Sequence, residues 1–157
     1  MKCKRCGSEV TYYVCDCGCE YSIFDFLKDK RDKIVRKQER VEELRAMAES
    51  MTAHTQGDRV QTSPKDRLSE LVTKIIDLEE ELDGMIDDYA DYKQRVKDII
   101  FSMDNEDYEE ILYMHYIERK SLGKIATEKG ATLNKIRSKN NRALKKVRKI
   151  VDETKTL

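Results

Sequence analysis

The chain has 157 residues, 39% of them charged and only 7% aromatic, with one proline and six glycines. Such a composition argues against a thick core or a deep substrate pocket and suits long solvated helices. The formal net charge of zero hides an asymmetry: residues 66–110 hold 16 acids and 5 bases, while residues 115–157 hold 13 bases and 4 acids.

All five cysteines lie in the first 19 residues, as C-x2-C, eight residues, then C-x-C-x-C. Clustered thiols at this spacing read as a structural zinc site, each thiolate binding at about 2.3 Å. The expected ligands are Cys3, Cys6, Cys15 and Cys17, with Cys19 as a substitute in the second pair. CKRCG forms one knuckle, with Gly7 at its tight turn, CDCG forms the other, and EVTYYV between them is strand-like. About 20 residues bury too little surface to fold alone, and metal binding contributes roughly 10–16 kcal/mol to such peptides. Incidental or reactive thiols are the competing reading. The polar start does not read as a signal peptide and no apolar run spans a membrane, so the expected compartment is the cytosol.

From Ile23 to about Met51 the chain is rich in helix formers. Leu27, Ile34, Val41 and Ala48 fall seven apart, with Leu44 and Met51 three beyond the last two; Lys30 and Lys37 interrupt this seam. A loop is expected over about 52–63, holding Gly57 and ending at Ser63-Pro64, an N-cap followed by the first helical position. The next helix carries the clearest periodicity. Leu68, Leu71, Ile75, Leu78, Leu82, Met85, Tyr89, Tyr92, Val96 and Ile99 occupy consecutive a and d positions. Two partners fit this seam: the first helix folded back antiparallel, or the same seam in a second chain.

Beyond Met103 the helices shorten. Asp104 or Asn105 caps one running to about Ile117, buried through Tyr108, Ile111, Leu112 and Tyr116, with His115 at its rim. Ser121 caps SLGKIATEKG, Gly130 supplies the turn, and Thr132 caps the last helix. On a helical wheel Ile136, Ala143, Leu144, Val147 and Ile150 share one side. Opposite them lie Asn134, Ser138, Asn141, Arg142, Lys145 and Lys149, flanked by Lys135, Arg137 and Arg148. Amides and guanidinium groups can read base edges, while ammonium groups neutralise phosphates. A merely soluble face would mix glutamate with lysine, yet no acid occurs from Ala131 to Val151. Double-stranded DNA is therefore the expected partner.

EEILYMHYI, SLGKIA, the turn at Gly130 and KIRSKNNRALKKVR resemble region 4 of the sigma-70 family, matching in register its E-x-V-L-x-L-R-Y, S-L-x-E-I-A and R-I-R-Q-I-x-x-x-A-L-x-K-L-R. Lys139 departs from the pattern, which has an apolar residue there. GDRVQTSPKDRL and the long helix are similar to phage-encoded sigma-70 region 4-like late-gene regulators, in which a helical hairpin precedes this domain. The resemblance implies a helix-turn-helix domain, control of phage or prophage transcription in a bacterial host cell, and contact with RNA polymerase. The zinc-ribbon-like start is not part of that pattern.

The expected organisation is mainly α: a ribbon over 1–22, a helical hairpin or coiled coil over 23–102, and a helix-turn-helix over 103–157. A phage DNA-packaging subunit of small-terminase type, or an inhibitor docking its basic helix on an acidic protein, are the alternatives. A homodimer through the coil is open. No phosphate-binding loop, nucleophile–base pair or acidic metal cluster points to an enzyme.

Overall fold

The computed structural model describes residues 2–8, 21–53 and 64–154. Among these the fold is mainly helical and has no strand. The helices are α1 (Ile23–Ala53), α2 (Pro64–Phe101), α3 (Glu106–Leu112), a π-helical turn (Tyr113–Ile117), α4 (Leu122–Glu128) and α5 (Leu133–Thr154). None is long and apolar enough to cross a membrane. Cys15, Cys17, Cys19, Ser63, Gly57 and most of the expected loop lie outside the described residues.

The chain divides into two compact units. One joins the described residues up to Leu27 with those from Asp91 onward; the other is Lys28–Ala90. Both divisions fall inside helices.

In Lys28–Ala90 the two helices run antiparallel. Val41, Leu44 and Ile75 are buried, with Ala48, Leu71 and Leu78 packed against them. Of the two partners open for the α2 seam, this unit uses the preceding helix of its own chain. Every seam position here, Leu68 through Tyr89, is buried or half-buried, as the heptad period requires. Lys37, which interrupts the α1 seam, is half-buried and ion-paired with Glu81, and Arg45 pairs with Glu79. The stem of Lys37 thus covers apolar surface while its head meets a carboxylate.

In the other unit α1 begins with reciprocal caps. Ser22 Oγ accepts the Asp25 N–H at 3.3 Å, and Asp25 Oδ2 accepts the Ser22 N–H at 2.8 Å. Ile23 and Phe24 are buried, Phe24 stacks on Tyr116 with ring centroids 3.9 Å apart, and the Tyr92 hydroxyl donates to the Ile23 carbonyl. Val96, Ile99, Ile100 and Met103 bury the end of α2. Asn105 caps α3 by accepting the Tyr108 N–H at 3.0 Å.

The helix capped by Asn105 runs to Ile117, as expected, but not in α geometry throughout. The last five residues widen into π geometry, with the Glu118 N–H donating to the Tyr113 carbonyl at 3.0 Å. Arg119, at φ 63, closes the turn, a left-handed conformation costing a non-glycine roughly 1–2 kcal/mol. One local and one tertiary contact accompany this turn. Tyr116 meets Phe24, and His115 Nδ1–H donates to the Lys120 carbonyl at 2.8 Å. Wide turns of this kind persist where such contacts reward them.

Candidate nucleic-acid interface

The interface is built by three short elements that bury one side of α5. Ile111 and Met114, Ile125 and Ala126 from α4, and Ile136 from α5 form one cluster, joined by Leu122 and Ala131. Ala126 is the small residue that permits this close packing. Ser121 Oγ caps α4 by accepting the Lys124 N–H at 3.2 Å. At its other end Gly130, at φ 57, takes the left-handed conformation that glycine adopts without a steric penalty. There the Ala131 N–H donates to the Ala126 carbonyl at 2.9 Å and the Gly130 N–H to the Thr127 carbonyl at 3.2 Å, a Schellman turn. Thr132 then starts α5, its Oγ1 accepting the Lys135 N–H at 3.4 Å. Residues 129–132 are thus a four-residue turn fixed at both ends.

With Ile136, Ala143, Val147 and Val151 buried, the opposite side of α5 must face outward. Asn134, Lys135, Arg137, Ser138, Asn141, Arg142, Lys145, Arg148 and Lys149 are all exposed. Lys149 approaches Glu153 at 3.6 Å, one turn on. Lys145 and Arg148 also edge a groove of about 440 Å³ walled by Phe24, Tyr116, Val147 and Val151.

The remaining cations around α5 point elsewhere. Lys139 Nζ, half-buried, donates to Asp107 at 2.6 Å, Lys129 pairs with Glu110, and Lys146 sits 5.3 Å above the Tyr108 ring. Acids of α3 thus take Lys139 of α5 and Lys129 of the turn before it. Lys139 meets an exposed carboxylate of its own unit. The wheel leaves Lys139 off the outward side, but its partner depends on where α3 lies.

Asn140, the second of three asparagines in this stretch, is 5% exposed and turned inward. Its Oδ1 is buried with no protein partner among the described residues. Burial pushes the Tyr116 phenol above its ordinary value, and a side-chain hydrogen bond with Asn140 opposes that shift. Lys120, ion-paired with Glu118 and Glu128, is held above the usual lysine value first by its hydrogen bond to Glu128.

The Asp107 carboxyl is held below the ordinary 3.8, first by the hydrogen bond from Lys139 and then by its charge. A depressed folded value means stability present above the ordinary carboxylate range and lost as pH falls through the folded value. Asp107→Asn should therefore lower the melting temperature slightly at pH 7. That deficit should shrink toward zero as wild type and variant are compared at successively lower pH, below 3.8. Because Asp107 is exposed, the deficit should also shrink with added salt.

The N-terminal cysteines fall partly within the described residues. Cys3 is buried and Cys6 exposed. The segment doubles back, with the Gly7 N–H donating to the Cys3 carbonyl at 2.9 Å and the Cys3 N–H to the Ser8 carbonyl at 2.8 Å. Gly7 sits at φ 75, and the Arg5 N–H donates to Cys3 Sγ at 3.4 Å. The Lys4 N–H donates to the Tyr21 hydroxyl at 3.0 Å, tying this turn to the start of α1.

Compared with known protein families, curated proteins and solved structures, the chain matches none.

Proposed function

We propose that the chain is a sequence-specific double-stranded DNA-binding transcription regulator of phage or prophage origin, with α4 and α5 as a helix-turn-helix of sigma-70 region 4 type. One observation carries the reading: nine amide, hydroxyl and cationic side chains share the exposed side of α5, while Lys139 and Lys129 pair with acids of α3. In this reading the N-terminal half of α5 enters the major groove, with Asn134, Lys135, Arg137, Ser138, Asn141 and Arg142 near base edges. Lys145, Arg148 and Lys149 follow the phosphates. RNA polymerase is the protein partner that the sigma-like resemblance suggests. A homodimer through Lys28–Ala90 would use exposed apolar residues such as Val72 and Ile76, because α1 takes up Leu71 and Ile75.

Selection of bound duplexes from a random pool tests the reading. Wild type should enrich one motif, and Asn134→Ala or Arg137→Ala should relax it at one or two positions, each costing about 1–3 kcal/mol of discrimination. Equal binding of random DNA by all three proteins would defeat it.

The N-terminal cysteines complete the proposal as a structural zinc site held by Cys3 and Cys6 with Cys15 and Cys17, Cys19 being able to replace one of the second pair. The turn at Cys3–Ser8 fits a metal knuckle, because its Arg5 amide is already directed at a sulfur that would carry negative charge. With four sulfurs the metal's role is to order the segment. Protein purified without chelator should contain one zinc per chain by elemental analysis, and Cys3→Ser should lower that ratio well below one. Zinc at background level in wild type would exclude the site.

A further inference from the structure

Of the apolar residues on α5, Leu133 alone is exposed: Ile136, Ala143, Val147 and Val151 are buried, and Leu144 and Ile150 half-buried. Leu133 is 38% exposed at the first position of the helix. The preceding turn packs Ala131 against the core and leaves the leucine exposed. The turn that leads into it is set by the left-handed Gly130 and by Thr132, whose carbonyl accepts the Ile136 N–H at 3.1 Å. Leu133 is followed directly by Asn134, and Arg137 lies one turn further along the same flank.

We propose that Leu133 reads a thymine through its 5-methyl group. This rests on the duplex-binding reading and deepens it. Among the major-groove edges, thymine's methyl is the apolar feature, and a leucine beside an adenine-reading amide is suited to cover it. The contact removes two apolar surfaces from water and makes no demand on hydrogen bonding. The bound sequence should therefore contain an A·T pair at the step met by the first turn of α5.

The test begins with the duplex selected by wild-type protein. Each thymine is replaced in turn by deoxyuridine, which keeps the pairing edge and lacks only the methyl. At one position wild type should bind about fourfold more weakly, the change that burying a single methyl group produces. Leu133→Ala should bind the thymine duplex more weakly and be indifferent to uridine there. Circular dichroism melting should show this variant as stable as wild type, because the side chain lies outside the core. Uridine tolerated at every position, or a uridine penalty that persists in Leu133→Ala, would overturn the assignment while leaving sequence-specific binding intact. Failure of wild type to select any duplex would instead overturn the DNA reading itself, and this inference with it.

Discussion

Lys145→Ala, Arg148→Ala and Lys149→Ala combined will lower affinity for all duplex sequences alike, by roughly 100-fold near 0.15 M salt, if each of the three meets a phosphate. Each neutralised phosphate releases counterions worth about 0.9 in the slope of log affinity against log salt, or roughly fivefold in affinity at that salt. The slope should therefore fall by about 2.7 for the triple variant, measured by fluorescence anisotropy between 50 and 300 mM salt. Specificity should survive, because the N-terminal half of α5 is unchanged. Lys139→Ala is the matched control. It removes the same kind of charge from the same helix, but that charge is directed at Asp107, so the salt slope should stay put. A slope unchanged in the triple variant, or lowered equally by Lys139→Ala, would remove these cations from the phosphate contact.

Ile136→Ala should destabilise the unit containing α5 by about 2–5 kcal/mol, the usual cost of a cavity left by a buried aliphatic side chain. Ile136 is 1% exposed, in a cluster with the fully buried Ile111 and Ile125. Those three positions join the helix ending at Leu112, α4 and α5, so truncation loosens all of them together. Small domains hold only about 5–15 kcal/mol in reserve, which makes this loss a large fraction of the whole. Denaturant melts should show it as a lowered midpoint with an unchanged slope. Leu133→Ala, three residues earlier and exposed, should fall within about 0.5 kcal/mol of wild type. A cost below 1 kcal/mol for Ile136→Ala would mean that α5 is not seated by this side.

The fold was readable from the sequence wherever a local rule was enough. Asn105, Ser121, Gly130 and Thr132 each perform the turn or capping role their chemistry suggests, because a cap joins groups only two or three residues apart. The amphipathic side of α5 was legible for the same reason: a period of 3.6 residues fixes which side chains share a side once one of them is buried. The widened turn at Tyr113–Ile117 was not legible. Its Tyr116 stacks on Phe24, more than 80 residues away in the chain, and no local propensity encodes that contact. The candidate interface divides along the same line. Its nine members came from the wheel, whereas the inward turn of Lys139 toward an acid 32 residues away needed the packing of α3 on α5.

What the sequence determined by itself is therefore a set of periods and stops: a long heptad helix, two short capped helices, and a basic helix with a clean apolar stripe. Tertiary structure decided the partners. It gave the α2 seam in Lys28–Ala90 to α1, sent Lys139 and Lys129 to acids of α3, and turned Asn140 inward while its neighbour Asn141 stayed exposed. The reason is one of range. Periodicity and capping act within a few residues of the chain, whereas ion pairing and burial depend on distances in space that only the packed helices set.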